Sequence, residues 1–158
     1  MSDVHIVLFE PEIPQNTGNI ARTCACTGAT LHLVEPMGFR LTEKNLGRAG
    51  LDYWDKVAIK RYACTQEFLE QHKACDLFFF TGRSERFYTE VDYGPIGHEV
   101  YLVFGRESRG IDEAILSEFA NRCVRIPMGV DLRSLNLSNS VAVGVYEVLR
   151  QRGFASLV

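Results

Sequence analysis

No C-x-x-C pair occurs in this 158-residue chain, and its five cysteines, Cys24, Cys26, Cys64, Cys75 and Cys123, are an odd number. A disulfide framework and a zinc site are therefore not expected, and a reducing cytoplasm is the expected setting. Each cysteine reads most simply as a small buried hydrophobe. The four histidines, His5, His32, His72 and His98, are scattered, and none stands beside a nucleophile or a ligand partner. They are assigned no chemistry. No apolar run approaches the roughly 20 residues needed to span a bilayer. The opening Met1-Ser2-Asp3 lacks a basic start and leads straight into an apolar stretch, so no signal peptide is expected. No G-x-G-x-x-G occurs, which leaves a dinucleotide fold without support. Net positive charge is also lacking: the formal charge is −3, no signature of a nucleic-acid binder.

Hydrophobic residues make up 46% of the chain and charged residues 23%, the balance of a globular protein. The length suits one domain with a real core. Thirteen of the 17 basic residues are Arg, whose guanidinium grips phosphate with two parallel hydrogen bonds. Between Arg40 and Arg61 six bases (Arg40, Lys44, Arg48, Lys56, Lys60, Arg61) face three acids (Glu43, Asp52, Asp55). That cluster reads equally as an RNA-facing patch or as a solvated surface with ordinary ion pairs.

Strand and helix patterns alternate. Val4 to Phe9, Thr30 to Val34, Leu77 to Thr81 and Val100 to Phe104 read as strands, with weaker ones at Lys56 to Arg61 and Val124 to Ile126. Helices are predicted over Thr17 to Thr27, with Gly28 as the stop, over Thr42 to Arg48, Gln66 to His72 and Asp112 to Phe119. A last helix runs from Ser138 to Arg150, capped by Ser138 or Asn139 and burying Val141, Val145, Val148 and Leu149. The region from Gly82 to Gly97 is irregular. This order predicts an α/β domain with a mostly parallel sheet covered on both faces. Ligands in such sheets sit in loops at the C-terminal strand ends. Three loops qualify: those after Phe9, Phe104 and Ile126.

The first loop, Glu10 to Arg22, enters a helix N-terminus, where free N–H groups favour anions. Asn16, Thr17 and Asn19 read there as caps or as site residues, and Arg22 as a surface or a site residue. The second, Gly105-Arg-Glu-Ser-Arg-Gly110, resembles half a phosphate loop. Ile111-Asp112 stands where Lys-Ser/Thr would have to follow, so it is no triphosphate cradle. Glu107 between Arg106 and Arg109 reads as an internal ion pair or as a site acid. The third, Arg125 to Ser140, alternates Leu135 and Leu137 with Ser134, Asn136 and Ser138. A buried turn needs such groups to satisfy its backbone. An adenosine-like ligand needs the same groups, for its edge and its faces.

Three segments together resemble the motifs of the SPOUT methyltransferases, SpoU branch. They are Asn16-x-Gly18-Asn19-x-x-Arg22, Leu102-Val-Phe-Gly105-x-Glu107-x-x-Gly110, and Ile126-Pro-Met128 continuing through Ser134-Leu-Asn136-Leu-Ser-Asn-Ser-Val-Ala-Val. The stretches Phe9 to Asn19, Leu31 to Phe39 and Ala49 to Tyr53 resemble one subgroup in particular. Its members are minimal enzymes that methylate the 2′-hydroxyl of the wobble nucleotide, position 34, in leucine tRNAs.

That resemblance implies a single domain over residues 1–158 with no separate RNA-binding domain. It also implies a C-terminal deep trefoil knot, a rare exception to un-knotted topology, and a homodimer whose site is completed across the interface. It implies S-adenosylmethionine as methyl donor, no metal, the tRNA anticodon loop as partner, and no membrane. Arg22, Asn16, Glu107, Ser134 and Asn136 match catalytic positions. Phe80, Gly105, Ile126, Met128, Ser134 and Leu135 match the donor site, and Arg22, Arg48 and Tyr146 are the residues expected against RNA. For Tyr146, core packing stands as an equal reading. Phe80 is larger than the aliphatic residue expected at its position, and Arg106 stands where proline is frequent. Two alternatives stand beside this reading: a SpoU-type methylase of another tRNA or rRNA ribose, and an inactive RNA-binding or assembly protein on the same fold.

Overall fold

The computed structural model describes residues 3–42, 53–155 and 157–158. Six strands form one sheet: β1 (Val4–Phe9), β2 (Thr30–Val34), β3 (Ile59–Tyr62), β4 (Asp76–Phe80), β5 (Val100–Phe104) and β6 (Cys123–Val124). Every pairing is parallel, and the order across the sheet is β3-β2-β1-β5-β4-β6. The chain steps outward from β1 to β3, then starts again on the other side of β1. The direction of winding reverses between β1 and β5, which opens a crevice at their C-terminal ends.

Both faces of the sheet are covered, as the nearly unbroken apolar runs of β1 and β5 require. On one face lie α1 (Pro14–Thr27) and α4 (Leu137–Gln151), packed over Ile6, Leu8, Leu33 and Leu102 through Ile20, Cys24, Val141 and Val145. On the other lie α2 (Thr65–His72) and α3 (Glu113–Glu118), with Phe68, Leu116 and Phe119 over Val7, Phe79 and Val103. Side chains alternate between these two cores because strand neighbours point to opposite faces. Among the described residues no helix is long and apolar enough to cross a membrane.

Several boundaries differ from the sequence expectation, each for a local reason. Helix α1 starts at Pro14, three residues early. Proline fits the first turn because its missing N–H would have no helical partner there. Helix α4 starts at Leu137, and its cap is Asn136 rather than Ser138 or Asn139. The weak strand expected over Lys56 to Arg61 begins at Ile59, because Trp54–Lys56 closes a 3-10 turn first. Strand β6 ends at Val124, so Ile126 belongs to the following loop. The helix expected over Thr42 to Arg48 lies outside the described residues, except for Thr42 itself. Gly28 stops α1 in the left-handed conformation, φ 75°.

The cysteine and histidine readings divide. Cys24 and Cys123 are buried, Cys75 is half-buried, and Cys26 and Cys64 are exposed. Burial pushes the Cys24 thiol up to about 12, consistent with an inert packing role. Cys64 caps α2, its sulfur accepting from the Glu67 N–H. The histidines are less scattered than the sequence suggests. His5 Nδ1 lies 2.9 Å from His32 Nε2, and His32 Nδ1 lies 2.9 Å from the Tyr62 hydroxyl.

His32 is fully buried, and burial pulls its imidazole down to about 3 from an ordinary 6.5. The unfolded chain therefore binds a proton below pH 6.5 that the folded chain refuses until about pH 3. Stability from this group is complete above pH 6.5 and falls as the pH drops through that window. The slope is about 1.4 kcal/mol per pH unit for one proton. Denaturant unfolding of the wild type and His32→Gln between pH 5 and 6.5, above the range where carboxylates titrate, checks this. The wild type is expected to lose stability more steeply on acidification, and equal slopes would show that His32 carries no such linkage.

Candidate functional site

Four loops at the C-terminal strand ends enclose a cavity of about 700 Å³. The loop after β1 contributes Ile13 and Asn16, and that after β4 contributes Thr81 to Arg83 behind Phe80. The loop after β5 contributes Gly105 to Ile111, and that after β6 Ile126, Met128 and Arg133 to Leu137. The size lies within the range of small-molecule sites. Three of the four loops were expected from the sequence. The loop after β4 was missed, because nothing in Thr81-Gly82-Arg83 departs from an ordinary turn, although the crevice rule applies to β4 as it does to its neighbours.

Glu107 joins the first two loops. One carboxylate oxygen accepts from the Glu12 N–H at 2.8 Å. The other accepts from the Ile13 N–H at 3.1 Å and from the Asn16 side-chain amide at 3.2 Å. These N–H groups lie just ahead of α1, whose cap residue Ile13 has no capping side chain. A carboxylate from another loop thus serves as the cap, with the charge sign a helix N-terminus favours. Glu12 answers in the other direction, accepting from the Ser108 N–H at 2.9 Å and from its hydroxyl at 2.8 Å. The Ser108 N–H, then its hydroxyl, hold the Glu12 carboxyl below its usual range.

The relay continues into the third loop. Asn16 Oδ1 accepts from the Asn136 amide at 3.0 Å. Asn136 Oδ1 accepts from the Ser138 N–H at 2.9 Å and the Ser138 hydroxyl at 2.6 Å, capping α4. The orientation of each amide follows from its neighbour. An ionised Glu107 only accepts, so Asn16 must turn its NH₂ to it and its oxygen to Asn136. Asn136 must then give its NH₂ to Asn16 and its oxygen to the helix. One carboxylate fixes both amides, and through them the starts of α1 and α4.

The β5 loop is closed on itself. Arg106 and Gly110 exchange both backbone hydrogen bonds, at 3.2 and 2.8 Å. A Cβ on Gly105 would lie 2.1 Å from the Gly110 carbonyl carbon, so no side chain fits there. Gly110 has φ 71°, where glycine is at ease. Arg106 bridges Glu10 at 3.2 Å and Asp112 at 2.9 Å, which ties the loop to the end of β1.

Phe80 forms part of the cavity wall, stacked on Phe104 with ring centroids 4.6 Å apart. Its bulk is matched on α4: a Cβ on Gly144 would come within 3.0 Å of the Phe80 ring. Phenylalanine at this position is thus accommodated by a glycine in the facing helix.

The expected site residues are not all brought together. Asn16, Phe80, Gly105, Glu107, Ile126, Met128, Ser134, Leu135 and Asn136 all line the cavity. Arg22 does not. It lies six residues beyond Asn16 along α1, about 9 Å by helical rise. There it is exposed, with its guanidinium 5.1 Å from the centroid of the Tyr53 ring. Tyr146 is 48% exposed on α4, so core packing is excluded for it. Arg48 lies outside the described residues. Among the described residues, no group of three or more His, Cys, Asp or Glu could hold a metal ion. Of the bases between Arg40 and Arg61, Arg61 is paired with Glu35, and Lys56 stands 6.0 Å from the Tyr53 ring centroid.

The cavity wall is suited to a nucleoside. Phe80, Ile126, Met128 and Leu135 offer apolar faces, and Ser134, Asn136 and the strand-end backbone offer hydrogen bonds to an edge. Glu107, the one acid that lines it among the described residues, is occupied with N–H groups.

Comparison with known proteins gives the same picture. The pattern described as the SpoU rRNA Methylase family matches residues 3–146. A protein of Escherichia coli (strain K12) named tRNA (cytidine(34)-2'-O)-methyltransferase is 47% identical over 156 residues, covering 98% of each chain. A solved structure concerning 2-OH methylation of C/U34 on tRNA superposes with a TM-score of 0.86 at 44% identity, covering 94% of this chain and 95% of the other. An AdoMet-bound rRNA methyltransferase from Sinorhizobium meliloti superposes with a TM-score of 0.82 at 25% identity, over 93% of this chain and 56% of the other.

Proposed function

Because the chain belongs to the SpoU rRNA Methylase family, we propose that it transfers the methyl group of S-adenosylmethionine to the 2′-hydroxyl of nucleotide 34 of tRNA, with leucine isoacceptors as substrates. The observation that carries this reading is the junction at Glu107, Asn16 and Asn136. It gathers the three motif-bearing segments around one cavity fit for a nucleoside. The near full-length likeness to a position-34 enzyme supports the substrate.

In this reading Phe80, Gly105, Ile126, Met128, Ser134 and Leu135 hold the donor, mostly through backbone groups and apolar contact. When bound, the donor supplies a methyl already activated on a positive sulfur, so no metal is called for. The protein's task is the nucleophile, since a ribose hydroxyl is a weak acid. It must be held in line with the methyl while its proton leaves. Ser134 and Asn136 keep the hydroxyl and the donor in register. A guanidinium is a permanently charged donor, so Arg22 serves as a clamp rather than a base. It holds a tRNA phosphate and the 2′-oxygen, and the phosphate or a water takes the proton.

Arg22 lies on the surface of its own chain, away from the cavity. That placement supports a homodimer in which Arg22 of one copy completes the cavity of the other, with Tyr146 on the dimer or RNA face. RNA is then held by this domain itself, in the cytoplasm. The knot belongs to the same proposal. From the edge strand β6 the chain returns past the ends of β4 and β5 to α4, which packs on α1, β1 and β5. That course suits a threaded C-terminal segment.

The test is incubation with labelled donor and total tRNA from cells lacking wobble methylation, followed by location of the label. Label at position 34 of leucine tRNAs is the expected result. Label at another ribose would make the chain a methylase of a different target. No transfer and no donor binding by calorimetry would leave an inactive RNA-binding protein on this fold.

A further inference from the structure

Four guanidiniums line the cavity among the described residues: Arg83, Arg106, Arg109 and Arg133. Two of them are spent on ion pairs. Arg83 pairs with Glu113 at 3.3 Å, and Arg106 is held between Glu10 and Asp112. Arg109 and Arg133 are exposed, and among the described residues neither makes a side-chain hydrogen bond or an ion pair, although Arg109 lies within electrostatic reach of Glu12. They come from different loops: Arg109 from the closed turn after β5, Arg133 from the segment that leads to the α4 cap. The oxygens of Glu107 and Glu12 are engaged by N–H and hydroxyl donors rather than by the Arg109 guanidinium. Two guanidiniums without a hydrogen bond or ion pair among the described residues therefore stand at the cavity of a protein whose net charge is −3.

We propose that Arg109 and Arg133 form a two-point clamp for the RNA backbone, gripping phosphates on either side of the ribose presented to the cavity. The inference rests on the proposed function and deepens it. A polyanion must enter through the open side of the cavity, and overall charge repels it, so attraction has to be local. Guanidinium groups suit that task because each offers a bidentate, permanently charged fork. Arg109 stands on a turn closed by two backbone hydrogen bonds, so the backbone beneath it has little freedom left to lose on binding. A donor carboxylate is a poorer fit for the pair. It is one anion against two cations, and both side chains are exposed where they line the cavity.

The experiment measures binding of unmethylated tRNA to the full chain across a salt series, with donor affinity followed by calorimetry. Arg109→Gln and Arg133→Gln are each expected to weaken tRNA binding about tenfold at low salt. Each is also expected to reduce the slope of log K against log salt by about 0.7 to 0.9, and the double variant by about twice that. Donor affinity stays unchanged. Arg→Lys at either position keeps the slope and recovers only part of the affinity, a result that a merely structural arginine would not give. Unchanged slopes in variants of a protein that does bind tRNA overturn the clamp alone. Weakened donor affinity with intact tRNA binding reassigns the pair to the donor and overturns it too. If the unaltered protein shows no salt-dependent tRNA binding, the proposed function falls with it.

Discussion

Arg22→Ala is expected to lower methyl transfer by at least about a hundredfold to a thousandfold, the scale seen when a charge-stabilising donor is removed from a reacting oxygen. Donor affinity and fold are expected to survive. Arg22 lines no part of the cavity and is exposed on α1, in contact with the Tyr53 ring. An exposed contact of that kind is worth only about 0.5–1 kcal/mol. The loss should therefore appear in turnover, while calorimetric donor binding and the unfolding midpoint stay near wild type. Near-normal methylation by the variant would refute the clamp role. The same variant tests the shared site. Mixing it with Asn136→Ala, which damages the cavity instead, should restore activity, because mixed dimers contain one intact cavity faced by one intact Arg22. Two inactive variants that stay inactive when mixed would place Arg22 and the cavity in the same copy.

Glu107→Gln is expected to cost about 3 kcal/mol, combining lost charge-assisted hydrogen bonds with a lost helix cap. It keeps the shape of the side chain and removes its single function, accepting from three donors. Glutamine has one oxygen for the N–H groups of Glu12 and Ile13 and the amide of Asn16. Its NH₂ then faces another donor. If Asn16 turns over to accommodate it, Asn136 must turn as well and present NH₂ to the Ser138 N–H, which abolishes the α4 cap. An isosteric change in the β5 loop is thereby felt at the start of the last helix. Denaturant unfolding and donor calorimetry should both register it, with donor affinity lowered at least about tenfold, the equivalent of one lost hydrogen bond to a charged group. Wild-type stability in the variant would mean that the relay does not hold the loops.

The sheet was legible because its central strands are nearly unbroken apolar runs, and Val4–Phe9 and Val100–Phe104 occur where the pattern places them. The ends were less legible, since at α1 the cap comes from a residue distant in sequence. Pro14 is a local sign of the helix start, but the carboxylate that satisfies the N–H groups before it belongs to Glu107, more than 90 residues away. Nothing in Glu12-Ile13-Pro14 announces that partner. Glu107 shows where spacing leaves a choice open. Its flanking arginines allowed an internal ion pair or a site acid, and Arg106 turns to Glu10 and Asp112. Glu107 binds backbone and amide instead. The histidines looked inert one by one, and the parallel register of β1 with β2 is what sets His5 against His32. Among the site residues, those in motifs could be named from the sequence, and the separation of Arg22 from its own cavity could not.

The central claim is that the methyl group goes to a ribose 2′-oxygen of tRNA, and alkali resistance tests it most directly. A free 2′-hydroxyl attacks the neighbouring phosphate in base and breaks the chain, and a methylated one cannot. After incubation of the protein with labelled S-adenosylmethionine and unmethylated leucine tRNA, alkaline digestion should leave the label in a dinucleotide that begins at position 34. Label released in mononucleotides would mean that the methyl group sits on a base, and would contradict the account.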